Sequence, residues 1–220
     1  MKDKCIAILI EDLFDDEETI SSSDRLRKTG ATVKFVGPTA PTDYTGLNGR
    51  VITSDDSAGK INLTDIDAIV IPGGFAPGKM RMRHAMVDLV RDAVEAKKTV
   101  AAICYGPQML ISANAVRERM ITCWPSIAID IKNAGGLYMD RQVIEDHNII
   151  TSRKIGDVEA FSDAIIRALT SPSDTQQTRH AIHPSEPLPF SMKDMNQASA
   201  TREQILLNAS VLARSEYRHD

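Results

Sequence analysis

The sequence predicts an α/β fold whose mostly parallel sheet is covered by helices on both faces. Short apolar runs rich in β-branched residues alternate with stretches of helical spacing, which is typical of parallel strands joined by crossover helices. The runs are apolar at consecutive positions, whereas a strand with one face in water alternates apolar and polar residues. The strands therefore belong inside a sheet that is covered on both sides.

Four strands are predicted first, and a helix joins the last two of them. The strand runs are residues 5–10, 32–36, 68–71 and 99–103. In residues 42–62, an Asn-Gly pair suits the positive φ angles of a hairpin turn and predicts a small β excursion. Between the third and fourth strands, apolar residues at helical spacing predict one buried stripe, formed by Met82, Met86, Leu89, Val90, Ala93 and Val94.

Shorter elements complete this domain. The pattern predicts a strand at 120–123, a helix at 126–134 ended by two glycines, strand fragments at 143–144 and 149–151, and a helix at 157–169. The α/β domain is therefore expected to span residues 1–170.

The remaining residues predict an appendage in two parts. Four of the ten prolines fall within residues 172–189, so 171–200 is predicted to be a proline-rich linker arm without a core. Thr201 and Gln204 have the spacing of a capping box, and the apolar stripe that follows predicts a helix within 201–220. A helix this apolar docks on its own core or on a neighbouring subunit, so a homodimer or higher homo-oligomer, built through residues 172–220, is expected.

Composition and charge narrow the partners and the compartment. A formal net charge of −4, from 26 Lys and Arg against 30 Asp and Glu, offers no basic face to a nucleic acid. The apolar run Cys5 to Ile10 is too short for a signal-peptide core, and no segment is apolar for long enough to span a membrane. Three cysteines, an odd number, argue against a disulfide framework. We expect a cytoplasmic protein with a small-molecule substrate and neither nucleic acid nor membrane as a partner.

No cofactor and no metal are predicted. His180 and His183 lie in the linker arm without cysteine or paired carboxylate partners. Glu11-Asp12 follows the first strand, where a dinucleotide-binding loop would have glycines, which argues against a nicotinamide cofactor.

Cys104 is the first candidate catalytic residue. In the stretch from Ala101 to Gln108, a buried strand ends at a cysteine and a small-residue turn opens into a helix, which is the layout of a nucleophile elbow. Such a turn lies at the carboxyl edge of the sheet, where α/β folds bind ligands. The partial positive charge of the helix N-terminus predicts a thiol pKa below about 8.5. Cys5 and Cys123 are interpreted as packing residues.

Two further stretches are predicted to lie at the same edge. The turn Pro72-Gly73-Gly74 follows the third strand, and the N–H group of Gly74 could form an oxyanion hole with that of Tyr105. The acidic run from Glu11 to Glu18 follows the first strand, and most of it is expected to be solvated surface. One carboxylate could turn inward beside the thiolate, stay protonated because burial and like charge raise its pKa, and donate a hydrogen bond to the sulfur.

Together these stretches resemble the ThiJ/PfpI superfamily, whose intracellular protease I-like members are relatives of the class I glutamine amidotransferase domain. The resemblance runs from about residue 3 to residue 169. Ala102 to Gln108 is similar to the family's A-I-C-H-G-P-Q, and Pro72 to Pro77 is similar to its P-G-G-x-A-P turn. Counting back from Arg25 to Gly30, which resembles the end of the family's first helix, places its active-site glutamate on Glu18.

This resemblance implies a fold, an assembly and a set of roles. The implied fold is a flavodoxin-like three-layer sandwich, and the implied assembly is a dimer or larger ring. The implied nucleophile is Cys104, supported by a protonated Glu18, with Gly74 and Tyr105 as the oxyanion hole.

Tyr105 departs from the resemblance, because protease-like members have the histidine of a Cys–His pair there. A phenol with a pKa of about 10 is a poor base at neutral pH, so peptide hydrolysis by such a pair requires His84 or His147 to reach Cys104. Three functions stay open. The chain is a cysteine-dependent enzyme on small molecules (hydrolase, amidase, glyoxalase-like or hydratase), a cysteine-based sensor of oxidative stress, or a non-catalytic binding module.

Overall fold

The computed structural model of the protein describes residues 1–171, and the predicted linker arm beyond Ser171 and the predicted C-terminal helix lie outside the described residues. The strands of residues 1–171 are β1 (Cys5–Leu9), β2 (Thr32–Gly37), β3 (Asp43–Thr45), β4 (Val51–Thr53), β5 (Asp56–Ser57), β6 (Ala68–Ile71), β7 (Thr99–Ile103), β8 (Met120–Ile121), β9 (Leu137–Tyr138), β10 (Val143–Asp146) and β11 (Ile149–Ser152). The α-helices are α1 (Asp16–Lys28), α2 (Ala76–Met80), α3 (His84–Glu95), α4 (Pro107–Ser112), α5 (Ala128–Asn133) and α6 (Val158–Thr170).

Seven of these strands form one sheet, in the order β10-β11-β7-β6-β1-β2-β5. Neighbouring strands are parallel except β10 and β11, which form an antiparallel hairpin at one edge. In this register, Ile6 of β1 lies opposite Val33 of β2 and Ala68 of β6. The mostly parallel sheet is therefore confirmed, and the carboxyl ends of β1, β6 and β7 meet at one edge.

Helices cover both faces of this sheet. Helix α1 packs against α6, while α3 packs against α4 and against strands β6 and β7. All four residues of β6 are buried, and β1 and β7 are buried at every residue except their first. This is the expected flavodoxin-like three-layer sandwich. Within residues 1–171, no helix has both the length and the apolar character needed to cross a membrane.

The buried stripe predicted between β6 and β7 is correct in α3 and wrong at its first member. Met86, Leu89, Val90 and Ala93 are buried and Val94 is half-buried, whereas Met82 is 74% exposed. Helix α3 begins only at His84, because a turn separates it from the short helix α2. Met82 lies in that turn, and periodic spacing alone does not show where a helix begins.

The predicted β excursion is the antiparallel hairpin of β3 and β4. Its loop has five residues, closed by a hydrogen bond from the Gly46 N–H to the Arg50 carbonyl, 2.8 Å, and Gly49 has the expected positive φ of 87°. The helix predicted at 126–134 is a 3₁₀ turn, Pro125–Ile127, followed by α5. The strand predicted at 120–123 is confirmed as the short β8, and the last helix as α6 preceded by a 3₁₀ turn.

Candidate active site at Cys104

Cys104 lies in a sharp turn between β7 and α4. Its φ is 60°, in the left-handed region that costs an L-residue about 1–2 kcal/mol. Two backbone hydrogen bonds fix this conformation: the Cys104 N–H donates to the Ser152 carbonyl, 3.1 Å, and the Cys104 carbonyl accepts from the Trp124 N–H, 2.9 Å. The sulfur is thereby held at the carboxyl edge of the sheet, in the strained turn geometry that nucleophile elbows share.

Glu18 is buried beside this sulfur. The residue belongs to the first turn of α1, whose N-cap Asp15 accepts a hydrogen bond from the Glu18 N–H, 2.9 Å. Its side chain is only 1% exposed; Oε2 accepts from the Gly73 N–H at 2.8 Å, and the carboxyl also hydrogen-bonds to Cys104. The inward carboxylate predicted for the acidic run is therefore Glu18, in contact with the cysteine.

Gly73 is a member of the site that sequence reasoning did not single out. A Cβ atom on Gly73 would lie 2.6 Å from Cys104 Cβ, 2.9 Å from its Sγ and 2.8 Å from Glu18 Oε2. Since real side chains do not approach so closely, glycine is required where the side chains of Glu18 and Cys104 meet. The signal was present in the double glycine after β6, but the sequence does not show which of the two faces the cysteine.

Gly74 and Tyr105 supply backbone donors. The N–H groups of both residues interact with the Cys104 sulfur and lower the pKa of its thiol in part. Gly74 needs its positive φ of 71° because it bridges to Phe14, and an added Cβ would collide with the Leu13 carbonyl. The residues predicted for the site thus lie together; their catalytic roles stay predictions.

Burial dominates the electrostatics of Glu18 and Cys104. Loss of solvent, and then the charge of Asp15, raise the pKa of Glu18 to about 7. Loss of solvent, and then the Glu18 carboxylate, also raise the pKa of the Cys104 thiol, while the Tyr105 and Gly74 N–H groups lower it in part. The predicted lowering of the thiol pKa is therefore wrong: α4 has only six residues, and its dipole is outweighed by burial at a residue 8% exposed.

These directions define what the pair can do. Near neutral pH Glu18 exchanges its proton readily, because its pKa is about 7. Burial and the Glu18 charge keep the Cys104 thiol protonated at neutral pH, beside a carboxyl group that can accept its proton. A group whose pKa lies near the working pH is suited to such general acid–base transfer.

Aromatic side chains form the outer rim of the site, a feature the sequence analysis did not assign. The Tyr105 ring centroid lies 6.4 Å from that of Phe75 and 6.3 Å from that of Trp124. The Ser126 hydroxyl donates to the Tyr105 phenol oxygen, 3.1 Å. Phe75 directly follows the glycine turn, and Tyr105 directly follows the cysteine. Their positions beside these two motifs were the sequence signal that could have placed them at the site.

Neither histidine of the described residues serves Cys104. His147 lies in the turn of the β10–β11 hairpin, and its neighbour Asn148 accepts a hydrogen bond from Val100, near the start of β7. That is the opposite end of β7 from Cys104. His84 begins α3 and is absent from the charged and hydrogen-bonding neighbours of the thiol, so no Cys–His pair forms among residues 1–171.

The acidic run is more buried than expected. Glu11 and Asp16 are 5% and 6% exposed, which corrects the prediction that most of this run is solvated surface. Asp16 accepts hydrogen bonds from the backbone N–H groups of Asn48, 2.8 Å, and Arg50, 2.9 Å. The hairpin loop of β3 and β4 covers the start of α1 and replaces the water that the run would otherwise face.

The fold and this site define a class: a flavodoxin-like α/β protein with a buried Glu–Cys pair at the carboxyl edge of its sheet. The model of the DJ-1/PfpI family matches residues 4–168, and the chain belongs to this family. The resemblance inferred from the motifs is thereby confirmed.

Individual relatives agree with this assignment. The chain is 39% identical over 168 residues to the Escherichia coli protein named "Protein/nucleic acid deglycase 2", covering 76% of this chain and 98% of the relative. It is 33% identical to "General stress protein 18" of Bacillus subtilis, covering 72% of this chain and 94% of that one.

A solved structure also matches. It is a two-domain protein from Anabaena variabilis with DJ-1/ThiJ/PfpI-like and ferritin-like domains, 36% identical, with a TM-score of 0.75. The match covers 83% of this chain and 55% of that chain, so this chain spans about half of the two-domain protein.

Proposed function

We propose that the protein is a cysteine-dependent enzyme that acts on small reactive carbonyl compounds, with Cys104 as nucleophile and Glu18 as general base and acid. The observation that carries this proposal is the buried contact between a protonated thiol and a carboxyl group whose pKa is about 7. Relatives named deglycases support carbonyl chemistry within the hydrolase, amidase, glyoxalase-like and hydratase range that the motifs left open.

The first step is addition of the thiol to an aldehyde carbon. A bond forms between Cys104 Sγ and the carbon, the C=O π electrons move to the oxygen, and the thiol proton passes to the Glu18 carboxylate. The N–H groups of Gly74 and Tyr105, which already point at the sulfur, stabilise the oxyanion beside it. Glu18 then returns the proton to that oxygen, giving a hemithioacetal.

With a 2-oxoaldehyde such as methylglyoxal, the next step is an internal proton transfer. Glu18 removes the proton from the aldehyde-derived carbon and delivers it to the neighbouring carbonyl carbon, while the hemithioacetal hydroxyl proton moves to the former ketone oxygen. The product is a thioester of a 2-hydroxy acid. Water then cleaves the C–S bond, releasing the 2-hydroxy acid and restoring the thiol. The sequence consumes one water and needs no external oxidant or reductant.

The aromatic rim suits a substrate with a flat or apolar part. Phe75 is 62% exposed and Trp124 is 37% exposed, so both present ring surface around the entrance to Cys104. The Tyr105 phenol oxygen accepts a hydrogen bond from the Ser126 hydroxyl. Tyr105 therefore contributes its ring and its backbone N–H to the site and does not act as a base. This arrangement supports a small-molecule carbonyl substrate over a Cys–His peptidase.

The test is turnover of methylglyoxal to lactate, followed by NMR, in the wild type and three variants. Cys104→Ser should reduce kcat/KM at least about 1000-fold and Glu18→Gln about 100-fold or more. Cys123→Ser changes a buried cysteine that is not in contact with Glu18 and should stay within about threefold of the wild type. Absence of turnover by the wild type, or equal turnover by Cys104→Ser, contradicts the proposal.

An oxidative stress sensor is the second candidate, favoured by the same Glu18–Cys104 hydrogen bond, which would stabilise a sulfinic acid. The raised pKa of the thiol argues for the enzyme, since oxidation by peroxide follows thiolate content. Mild peroxide followed by intact-mass measurement separates the two functions. A two-oxygen adduct on Cys104 supports the sensor, and its absence removes that candidate.

A further inference from the structure

We infer that this site selects 2-oxoaldehydes whose substituent is an aromatic ring, and that the Tyr105 ring sets the selectivity. The inference rests on the proposed function, because it concerns the substrate of the same Cys104 thiol. Tyr105 is the ring that pairs with both of its aromatic neighbours, at centroid distances of 6.4 Å to Phe75 and 6.3 Å to Trp124. These distances lie in the range of interacting aromatic pairs, so the three side chains form one continuous aromatic surface.

The three rings lie beside the reacting sulfur because of where their backbones are placed. Tyr105 directly follows Cys104, and its N–H interacts with the sulfur. Phe75 directly follows Gly74, whose N–H also interacts with the sulfur. The Trp124 N–H donates to the Cys104 carbonyl, 2.9 Å. Each ring is therefore attached to the chain no more than one residue from a backbone contact with the cysteine.

The substituent of a bound substrate must extend toward these rings. In the hemithioacetal, the carbon bonded to the Cys104 sulfur also carries the ketone group and, through it, the substituent. One side of the sulfur is closed, because the Glu18 side chain is buried there and even a Cβ on Gly73 would lie 2.9 Å from Sγ. The exposed rings of Phe75 and Trp124 mark the open side. A substituent that leaves the buried pair therefore meets aromatic surface.

A hydrogen bond fixes the ring of Tyr105 within this surface. The Ser126 hydroxyl donates to the Tyr105 phenol oxygen, 3.1 Å. Ser126 belongs to the 3₁₀ turn Pro125–Ile127, which directly follows Trp124. The bond therefore joins the ring beside the cysteine to the loop that carries the second ring. A surface that is ordered in advance loses little side-chain freedom when a ligand binds to it.

A flat ring gains more from such a surface than an aliphatic group of the same size. Both bury apolar area, but a planar aromatic ring also stacks on aromatic faces or packs against them edge to face, with a gain beyond that of burial. Tyr105 is attached next to the thiol, so its ring is the first that the substituent reaches. The aromatic preference should therefore depend on the Tyr105 ring.

Initial-rate kinetics with the full chain test this inference. The substrates are phenylglyoxal and cyclohexylglyoxal, two apolar 2-oxoaldehydes of similar size of which only the first carries a flat ring, and the 2-hydroxy acid products are followed by NMR. The readout is the ratio of the two kcat/KM values, because a general effect of a variant on the chemistry cancels in it. Tyr105→Leu keeps an apolar side chain and the backbone N–H, and it should lower this ratio at least about fivefold.

Three further variants separate the ring from its hydrogen bond and from general effects. Tyr105→Phe and Ser126→Ala keep the ring and remove the bond, so each should lower the ratio about two- to threefold, and the double variant should lower it no further. Tyr138→Leu is the matched control, because the Tyr138 ring lies against Lys132, whose Nζ is 5.5 Å from the ring centroid. It should keep the wild-type ratio.

Circular dichroism melts confirm that each variant is folded. An unchanged ratio in folded Tyr105→Leu, an unchanged ratio in both Tyr105→Phe and Ser126→Ala, or an equal fall in Tyr138→Leu overturns the inference alone, since the wild type still turns over its substrates. Absence of turnover of every 2-oxoaldehyde, methylglyoxal included, overturns the proposed function and the inference with it.

Discussion

Cys104 and Cys123 are two buried cysteines of the same domain with very different surroundings. Both follow strands, and burial raises the thiol pKa of each, to about 12 for Cys123, where the Asp130 charge adds to the effect. Only Cys104 has a positive φ, a carboxyl group in hydrogen-bond contact and two backbone N–H groups pointing at its sulfur. The comparison teaches that a proton acceptor and placed donors, and not an intrinsically low pKa, distinguish the candidate nucleophile from the packing cysteine.

The largest expected effect comes from filling the space between Glu18 and Cys104. Gly73→Ala places a methyl group 2.6 Å from Cys104 Cβ and should lower kcat/KM at least about 100-fold by separating the pair. Gly78→Ala is the matched control, since a Cβ there meets nothing within 4 Å, and should leave activity unchanged. Methylglyoxal kinetics on both proteins check this; equal activities would show that close approach of the pair is not needed.

The next effect is on stability. The folded-state pKa of Glu18 is about 7 against an ordinary value of 4.5, so the folded protein binds the extra proton in this interval. The stabilisation that Glu18 gains from this proton is therefore fully present below about pH 4.5 and is lost as the pH rises toward 7. Over this interval the free energy of unfolding should fall by about 3 kcal/mol. Urea unfolding of wild type and Glu18→Gln across this interval isolates the contribution; a difference that does not vary with pH contradicts it.

Replacing the packing cysteine should affect stability and leave chemistry alone. Cys123→Ala removes one buried sulfur and is expected to cost about 1–2 kcal/mol of unfolding free energy. Its kcat/KM should stay within about twofold of the wild type, in contrast to Cys104→Ala. A large loss of activity in a folded Cys123→Ala protein would erase the distinction between the two thiols.

The smallest expected effect is at the aromatic rim. Trp124→Ala removes the ring beside Tyr105 and should raise KM about three- to tenfold with a smaller change in kcat. Ile129→Ala, another exposed apolar residue at 57% exposure, serves as control and should leave KM unchanged. A fall in kcat with constant KM would instead show that the Trp124 side chain stabilises the Cys104 turn and does not contact the substrate.

Much of this site could be predicted from the sequence. The strand-to-turn motifs located Cys104, Gly74 and Tyr105, and the family resemblance located Glu18. The direction of the thiol pKa could not be predicted, because it depends on the number of solvent-excluding atoms around the sulfur. The motif shows only the helix N-terminus, whose effect is smaller.

The remaining differences also arise from tertiary contacts. Asp16 and Glu11 are polar residues whose burial depends on the β3–β4 hairpin loop and on the start of α3, both distant in sequence. Met82 has helical spacing with the residues of α3 but lies in a turn, because the helix start is fixed by backbone geometry. Periodicity does not report such contacts.

The most direct test of the account is the pH dependence of Cys104 alkylation by iodoacetamide, resolved by peptide mass. Because burial and the Glu18 carboxylate raise the thiol pKa, wild-type Cys104 should become reactive only above the ordinary thiol value of 9.0, while the fully buried Cys123 stays unreactive. In Glu18→Gln, which lacks the carboxylate charge beside the sulfur, the midpoint should fall below that of the wild type. The same midpoint in both proteins, or full reactivity of Cys104 well below pH 7, would contradict the central role of Glu18.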